Sequence, residues 1–270
     1  MPTTSTAESP PPSPERVRRA AVVLNHGARA ARKRLEGVAH ECGVELVEDG
    51  ADADLAVVLG GDGTMLRAFH LVLGRGIPVL GVNFGRFGFL ASIQPELLEE
   101  GLRRAFAGDY RVIELPTVDV VSGNVQEVAV NDVVAGTGKL GRMVELEWAV
   151  GGEPLGEVPC DAIIVATPSG STAYNLSNGG PVLMWGIDAL AVSFVAPHSL
   201  HARPLVVPPG RDVVVTNRTR DIPLALVADG RRIGAIPPGE SVTARLGERR
   251  SLLATLPDAT FLTRFRSAFG

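Results

Sequence analysis

The chain has 270 residues, of which 45% are hydrophobic and 21% charged, and a net charge of −4. That length suits one large or two modest domains with a proper buried core, and the slightly acidic balance excludes a dedicated nucleic-acid surface while leaving room for a local basic patch. No run approaches the roughly 18 apolar residues that a bilayer span needs, and the Ser/Thr/Pro-rich start, Met1 to Pro14, lacks the apolar centre of a secretory signal and reads as a disordered tail over residues 1–17.

Along the chain, Ala20 to Leu24 is a short apolar run expected as a strand. Ala31, Leu35, Val38 and Cys42 follow at helical spacing and define one face of a helix. Val44 to Val47, Leu55 to Leu59 and Pro78 to Val82 read as further strands, with a helix over Met65 to Leu73 between the last two. Such alternation predicts a parallel sheet covered by helices. Leu98, Leu102 and Phe106 mark one more amphipathic helix.

After about residue 110 the texture changes. Val144, Leu146, Trp148 and Val150 alternate with Glu145, Glu147 and Ala149, the period of a half-exposed strand. Short β-rich runs recur at 126–134, 161–166, 189–195, 212–216, 223–228 and 241–246, and Asp229-Gly230 is a hairpin turn signal. The fold class expected is an α/β N-terminal domain with a Rossmann-like parallel sheet, residues 18–110, followed by a mainly antiparallel β-rich domain, residues 111–250. Cys42 and Cys160 lie outside any metal-type spacing, and the five histidines form no H-x-x-x-H pair. Each cysteine is expected as a small buried residue, no protein-held metal is expected, and the compartment indicated is the cytosol.

Leu59-Gly60-Gly61-Asp62-Gly63-Thr64-Met65-Leu66 joins an apolar strand to a helix. Its glycines permit a tight turn and close approach of a ligand to the backbone. Free N–H groups at the mouth of a helix favour phosphate, yet the loop also carries the carboxylate of Asp62. A carboxylate there repels phosphate unless a metal intervenes or the acid handles a hydroxyl proton, which points to phosphoryl transfer to an alcohol. The bland alternative for Asp62 is an Asp-Gly turn or a helix N-cap, at about even odds from this motif alone. Two common nucleotide motifs are excluded. Leu66 stands where G-x-G-x-x-G needs its third glycine, and Gly138-Lys139 lacks both the leading glycine and the Ser/Thr of a P-loop.

Three more segments draw attention. Gly81 to Leu90 is a second glycine-rich run at the same end of the sheet as Asp62, where ligands of open α/β sheets bind; its bland reading is a core-covering loop. Thr167 to Pro181 is a long stretch of hydroxyls and glycine suited to ribose and base edges, or else a network capping a short helix around Thr172 to Leu176. Asn131-Asp132 is a polar pair inside an apolar run, which in isolation is about twice as often a strand end or Asx turn. His198 reads as a structural histidine.

Taken in order, these segments resemble the NAD kinase family over roughly residues 55–235. GGDGT alone is shared with lipid kinases and phosphofructokinases, whereas TPSGSTAYNLSNGGP after an Asn-Asp pair, and Pro197 to Val206, are similar to NAD kinases in particular. The resemblance implies a dinucleotide held between the two domains and a C-terminal segment, residues 251–270, packed back on the first. It implies that Asp62 is the general base for the adenosine ribose 2′-hydroxyl of NAD and that Gly63 contacts NAD. Asn131 and Asp132 would hold ribose and adenine groups, and Asp161 the nicotinamide side. Thr172, Ala173, Tyr174, Asn175, Leu176 and Ser177 would line the pocket, with Ala196 at its wall and Arg142 and Arg231 as further contacts. Gly60, Gly61, Gly63, Thr64 and Arg67 would form the phosphate loop toward ATP or polyphosphate carrying Mg²⁺. A homodimer or homotetramer is the family habit. A diacylglycerol-type lipid kinase and a non-catalytic NAD-binding sensor are the alternatives.

Overall fold

The computed structural model describes residues 15–25, 28–49, 51–85, 88–138 and 142–270, with the side chain of Arg29 left aside. Residues 1–14 of the tail expected over 1–17, Arg86 and Phe87 of the second glycine-rich run, and Lys139 with Leu140 lie outside the described residues; Val17, expected in that tail, is instead buried, its N–H donating to Phe106 O at 3.0 Å.

The first unit runs β1 (Arg19–Leu24), α1 (Arg29–Cys42), β2 (Glu45–Glu48), β3 (Leu55–Gly60), α2 (Asp62–Val72), β4 (Val79–Asn83) and α3 (Leu98–Phe106). β1 pairs in parallel with both β2 and β3, and β3 with β4. Every residue of β3 is buried, as expected for a strand covered on both faces. On one face lie Leu35 and Val38 of α1 with Leu98, Leu102 and Phe106 of α3. On the other, Met65, Ala68, Phe69 and Val72 of α2 pack on Val23, Val58 and Val79. Helix α1 ends at Gly43, whose φ of 68° needs the left-handed region that glycine enters without a Cβ penalty.

The second unit runs β5 (Arg111–Ser122), β6 (Val125–Ala129), β7 (Asp132–Gly136), β8 (Val144–Val150), β9 (Glu153–Cys160), β10 (Ala162–Ala166), α4 (Tyr174–Ser177), β11 (Leu190–Val195), β12 (Leu205–Val207), β13 (Val213–Asn217), β14 (Leu224–Ala228), β15 (Arg231–Ile236), β16 (Ser241–Thr255) and α5 (Phe261–Phe269). Six strands form an antiparallel sheet in the order β12-β11-β10-β7-β14-β15. Its inner face, with Val133, Ala135, Ile163, Val165 and Leu226, packs on Leu146, Trp148 and Val213 of a second sheet to make one core.

That second sheet differs from expectation. The parallel strands do not form a sheet of their own: the order β2-β1-β3-β4-β16-β13-β8-β9 makes the α/β and β-rich parts one continuous mixed sheet. The join is β16, whose start pairs antiparallel with β13 and whose end, Leu253 and Ala254, pairs in parallel with Val79 and Leu80 of β4. At 15 residues β16 is far longer than the run at 241–246 suggested, because Arg249 and Arg250 interrupt its apolar pattern. Among the described residues no helix is long and apolar enough to cross a membrane.

Candidate functional site

Gly60 and Gly61 carry the chain from β3 into α2, and Asp62 is the first helical residue. A Cβ on Gly60 would fall 2.7 Å from the Thr64 Cβ, and one on Gly85 would fall 3.2 Å from the Gly61 Cα. The two glycine-rich segments therefore pass backbone against backbone, closer than side chains allow. Phe89 N–H donates to Asp62 Oδ2 at 2.9 Å and Leu90 N–H donates to Oδ1 at 3.2 Å. Burial pushes the Asp62 carboxyl above its ordinary value, against the pull of those N–H groups and of the Arg264 guanidinium. The result is a desolvated carboxylate fixed in orientation.

Both Asp62 oxygens turn to the 89–90 segment of the first unit, and the helix that starts at Asp62 runs on along the second unit. Asp62, Leu66 and His70 stand at i, i+4 and i+8 on α2 and share one face. Leu66 lines a cavity of about 410 Å³ against the second unit, with Asn131, Asp132, Val134, Ala173, Tyr174, Val227, Asp229 and Gly230. His70 Nε2 meets Asp229 Oδ2 at 2.7 Å. The face of α2 that carries Asp62 is thus the face that docks on the β-rich unit, one turn from the cavity wall.

Asn131 and Asp132 are both buried at the start of β7. Their positions are set by Asp229, whose Oδ1 accepts from Asn131 N–H at 2.7 Å and Asp132 N–H at 3.1 Å while its Oδ2 accepts from Val130 N–H at 2.7 Å. Asp229 does this from a left-handed conformation, φ 48°, which Asp tolerates better than most side chains. Asn131 Oδ1 accepts from Ser169 Oγ at 2.9 Å, so the hydroxyl-rich segment fixes its amide. Burial first, and the neighbouring Asp229 second, push the Asp132 carboxyl up to about 7.

A second cavity of about 330 Å³ continues the first and shares Val134, Tyr174 and Val227 with it. Its remaining wall includes Asp161, Thr137 and Val195, and its floor is Gly136, Ala162 and Ala225, small residues on the outward face of the sheet. A Cβ on Gly136 would fall 2.6 Å from the Asp161 carbonyl oxygen. The two cavities form an elongated trough over a flat floor, with Tyr174 at its waist.

Other candidate residues fall elsewhere. Gly63 faces open space, with no atom within 4 Å of the point where a Cβ would stand. Thr172 lies half-buried with its hydroxyl donating to Ser169 O, Leu176 is half-buried, and Ser177 is exposed. Asn175 does not line the trough: it is fully buried, and its Nδ2 donates to Ser171 O and Pro181 O at 3.0 Å each, closing the loop internally. Ala196, φ 44°, is exposed just past Val195, and Arg142 is exposed. Arg231 is likewise exposed, reaching Glu127 at 3.3 Å on the outer edge of the sheet rather than either cavity. Arg67 does not join the phosphate loop: it donates to Leu24 O at 2.9 Å and lines a separate depression with Arg32 and Asp49. His198 is exposed, and of the cysteines, both expected buried, Cys160 is buried and Cys42 half-buried.

The sequence pattern marks Asp229 only as a turn residue and does not single out Leu66, His70 or Arg264. The i, i+4, i+8 spacing from Asp62 is an available signal for two of them. Nothing local announces Arg264.

The chain matches the N-terminal domain of ATP-NAD kinases over residues 28–110 and their C-terminal domain over residues 130–256. It is 40% identical to a NAD kinase of Gemmatimonas aurantiaca over 85% of this chain and 81% of that one. With a NAD kinase of Thermobifida fusca the identity is 38%, over 84% and 73% of the two chains. Its fold overlays an NAD kinase from Archaeoglobus fulgidus crystallised with ATP, with a TM-score of 0.77, 30% identity, and coverage of 93% of this chain and 97% of that one. A yeast NADH kinase crystallised with NADH gives a TM-score of 0.82 at 17% identity, over 94% and 88% of the chains, a likeness of fold alone.

Proposed function

The chain belongs to the NAD kinase family, and on that premise we propose that it phosphorylates the 2′-hydroxyl of the adenosine ribose of NAD to make NADP. The observation that carries this reading is the single face of α2 on which Asp62 stands one turn from Leu66 at the trough wall. The helix that begins with this acid in the first unit borders, through Leu66, a trough built on the second.

In this reading the dinucleotide lies along the trough across Tyr174. The Asn131 amide and the Asp132 carboxyl meet the adenosine half, and Asp161 the nicotinamide half. Asp62 orients the 2′-hydroxyl and accepts its proton as the bond from that oxygen to the terminal phosphorus of the donor forms and the bond from that phosphorus to its leaving oxygen breaks. Positioning and charge neutralisation supply most of the acceleration in such transfers, and a placed base adds about 10²–10⁴-fold. A raised carboxyl is a better proton acceptor than an ordinary one.

ATP is the donor proposed, with other nucleoside triphosphates or polyphosphate as further candidates. Among the described residues no group of three or more His, Cys, Asp or Glu is arranged to hold a metal ion. Asp62 alone is a poor donor set, so Mg²⁺ is proposed to arrive on the donor phosphates as part of the substrate. A homo-oligomer acting in the cytoplasm completes the reading.

The test is direct. Pure protein with Mg²⁺-ATP and NAD is expected to yield NADP, and with diacylglycerol in place of NAD to yield no phosphorylated lipid. Asp62→Asn is expected to remain folded, bind NAD, and lose at least about 10²-fold in turnover. NAD binding without NADP formation by the parent protein would leave only a sensor role.

A further inference from the structure

The C-terminal helix α5 supplies a side chain that the reaction scheme above does not use. Arg264 turns its guanidinium inward onto the segment that grips Asp62. It donates to Phe89 O, to Ala91 O at 3.1 Å, and to Thr255 Oγ1 at the end of β16 at 2.8 Å, with Trp185 stacked 5.0 Å away. Phe89 is therefore held from both sides of one peptide neighbourhood: its carbonyl by Arg264 and its N–H by the Asp62 carboxylate. The planar fork of arginine suits this role, because several donors in fixed geometry can span two carbonyls and a hydroxyl at once. Lysine, a flexible point charge, cannot.

Resting on the NAD kinase reading, we propose that Arg264 is a positioning residue for the catalytic base: it braces residues 89–91 from the C-terminal helix, and that segment in turn holds both oxygens of the Asp62 carboxylate in one orientation. The bracing reaches across the molecule. Trp185 comes from the connection between α4 and β11, Thr255 from the strand that joins the two halves of the mixed sheet, and Phe89 and Ala91 from the glycine-rich run after β4. The active centre is completed only when the last ten residues of the chain fold back.

The electrostatics give the sign of a test. Among the described residues, the groups that face the Asp62 carboxylate are the N–H groups of the 89–91 segment and the Arg264 charge from α5, and these favour the ionised acid. Burial opposes them. If Arg264 positions the acid, its removal takes away both a cation and the grip of the segment, and the Asp62 carboxyl rises. Loss of the cation raises the carboxyl by itself, so the titration reports that the Arg264 charge is felt at Asp62, while kcat at constant KM, and the lysine variant that keeps the charge but not the planar fork, report the positioning.

Two variants in the full-length protein decide the matter, Arg264→Met and Arg264→Lys. The Asp62 titration is read by ¹³C NMR of the side-chain carboxyl, assigned by comparison with Asp62→Asn, alongside kcat, KM for NAD and the pH profile of kcat. For Arg264→Met we expect kcat to fall about 10–100-fold with KM for NAD within about twofold, the scale of a misplaced rather than missing base. The carboxyl titration and the acid limb of the pH profile should move up by at least about half a pH unit. Arg264→Lys should keep the titration near the parent while recovering only part of kcat. An unmoved or lowered titration, an unchanged kcat, or a KM that rises in step with the loss of kcat would each overturn the proposal. Should Arg264→Met not fold, Arg264→Lys decides on kcat: a fall of about fivefold or more at constant KM supports the positioning role, and parent-like kcat removes it. The NMR titration needs no turnover, so a parent protein that makes no NADP would sink the kinase reading while the coupling of Arg264 to Asp62 is still measured separately.

Discussion

His70 Nε2 lies 2.7 Å from Asp229 Oδ2, and this contact joins helix α2 of the first unit to the β14–β15 turn of the second. The Asp229 side chain is only 5% exposed and that of His70 31%. Asp229 also accepts three backbone N–H groups, from Val130, Asn131 and Asp132. One carboxylate therefore sets both the docking of α2 and the position of the Asn131-Asp132 pair. Asp229→Ala leaves three N–H donors without their acceptor and puts alanine in a left-handed conformation. We expect a stability loss of about 3 kcal/mol or more by chemical denaturation, with weaker NAD binding by calorimetry. His70→Ala removes only a half-exposed partner and is expected to cost about 1 kcal/mol or less.

Asp132 makes folding stability depend on pH. Its carboxyl titrates near 7 in the folded chain against an ordinary 3.8, so between those values the folded state holds a proton that the unfolded state has released. Stability contributed by the neutral carboxyl is complete below about pH 4 and falls as pH rises toward 7, by at most about 1.4 kcal/mol for each pH unit crossed. Above the folded value the dependence ends. Asp132→Asn carries no titrating group, so its stability relative to the parent should rise across pH 4–7 in parallel denaturation series. A constant difference across that window would rule the effect out.

How much of this was legible in the sequence follows from the range of each interaction. The strands and helices before residue 110 show in the pattern because each buries a local face, and α2 proved longer than its apolar stretch only because Asp62 and Gly63 are its polar first turn. The 12-residue β5 and the 8-residue β9 were missed: β5 carries Pro116 and mixed polarity, and β9 is exposed along its first five residues. Neither presents the alternation that marks β8. The single continuous sheet was invisible as well, since β4 and β16 are separated by more than 150 positions and their pairing leaves no mark in either segment. In the site, Asp62, Asn131, Asp132 and Tyr174 lie in motifs dense with polar residues. Arg67 and Arg231 stand near such motifs, and their long side chains reach Leu24 O and Glu127. Asn175 carries the same chemistry as Asn131 but turns into the loop, a distinction that depends on tertiary direction.

Tyr174 offers a clean separation of binding from folding. It is 45% exposed and lines both cavities of the trough, so it contributes little to the core and much to a ligand lying across it. Tyr174→Ala should change unfolding free energy by about 0.5 kcal/mol or less. It should weaken NAD binding by about 5–20-fold, the worth of a lost aromatic contact of about 1–1.5 kcal/mol and some packing area. Isothermal titration with NAD alone, without a phosphoryl donor, reads this directly. Parent-like affinity would mean the dinucleotide does not cross the waist of the trough.

Gly88 tests the placement of Asp62 without touching its chemistry. A Cβ there would fall 2.6 Å from Asp62 Oδ1, inside the normal limit of contact. The nearest atoms such a Cβ would meet all belong to the Asp62 carboxyl group, so the conflict is with that side chain. The carboxylate cannot simply swing aside, because Phe89 and Leu90 N–H, the next two residues of that segment, hold both its oxygens. Relief comes from shifting the acid and the segment apart, which lengthens those bonds and turns the acid from its aim. Gly88→Ala is therefore expected to lower kcat about 10–100-fold, less than removal of the base, with KM for NAD within about twofold and a stability loss of about 1 kcal/mol. Steady-state kinetics with both substrates varied, beside thermal unfolding of the same preparation, measures all three. A variant with unchanged kcat would show that the acid works from a different orientation than the one held by residues 89 and 90.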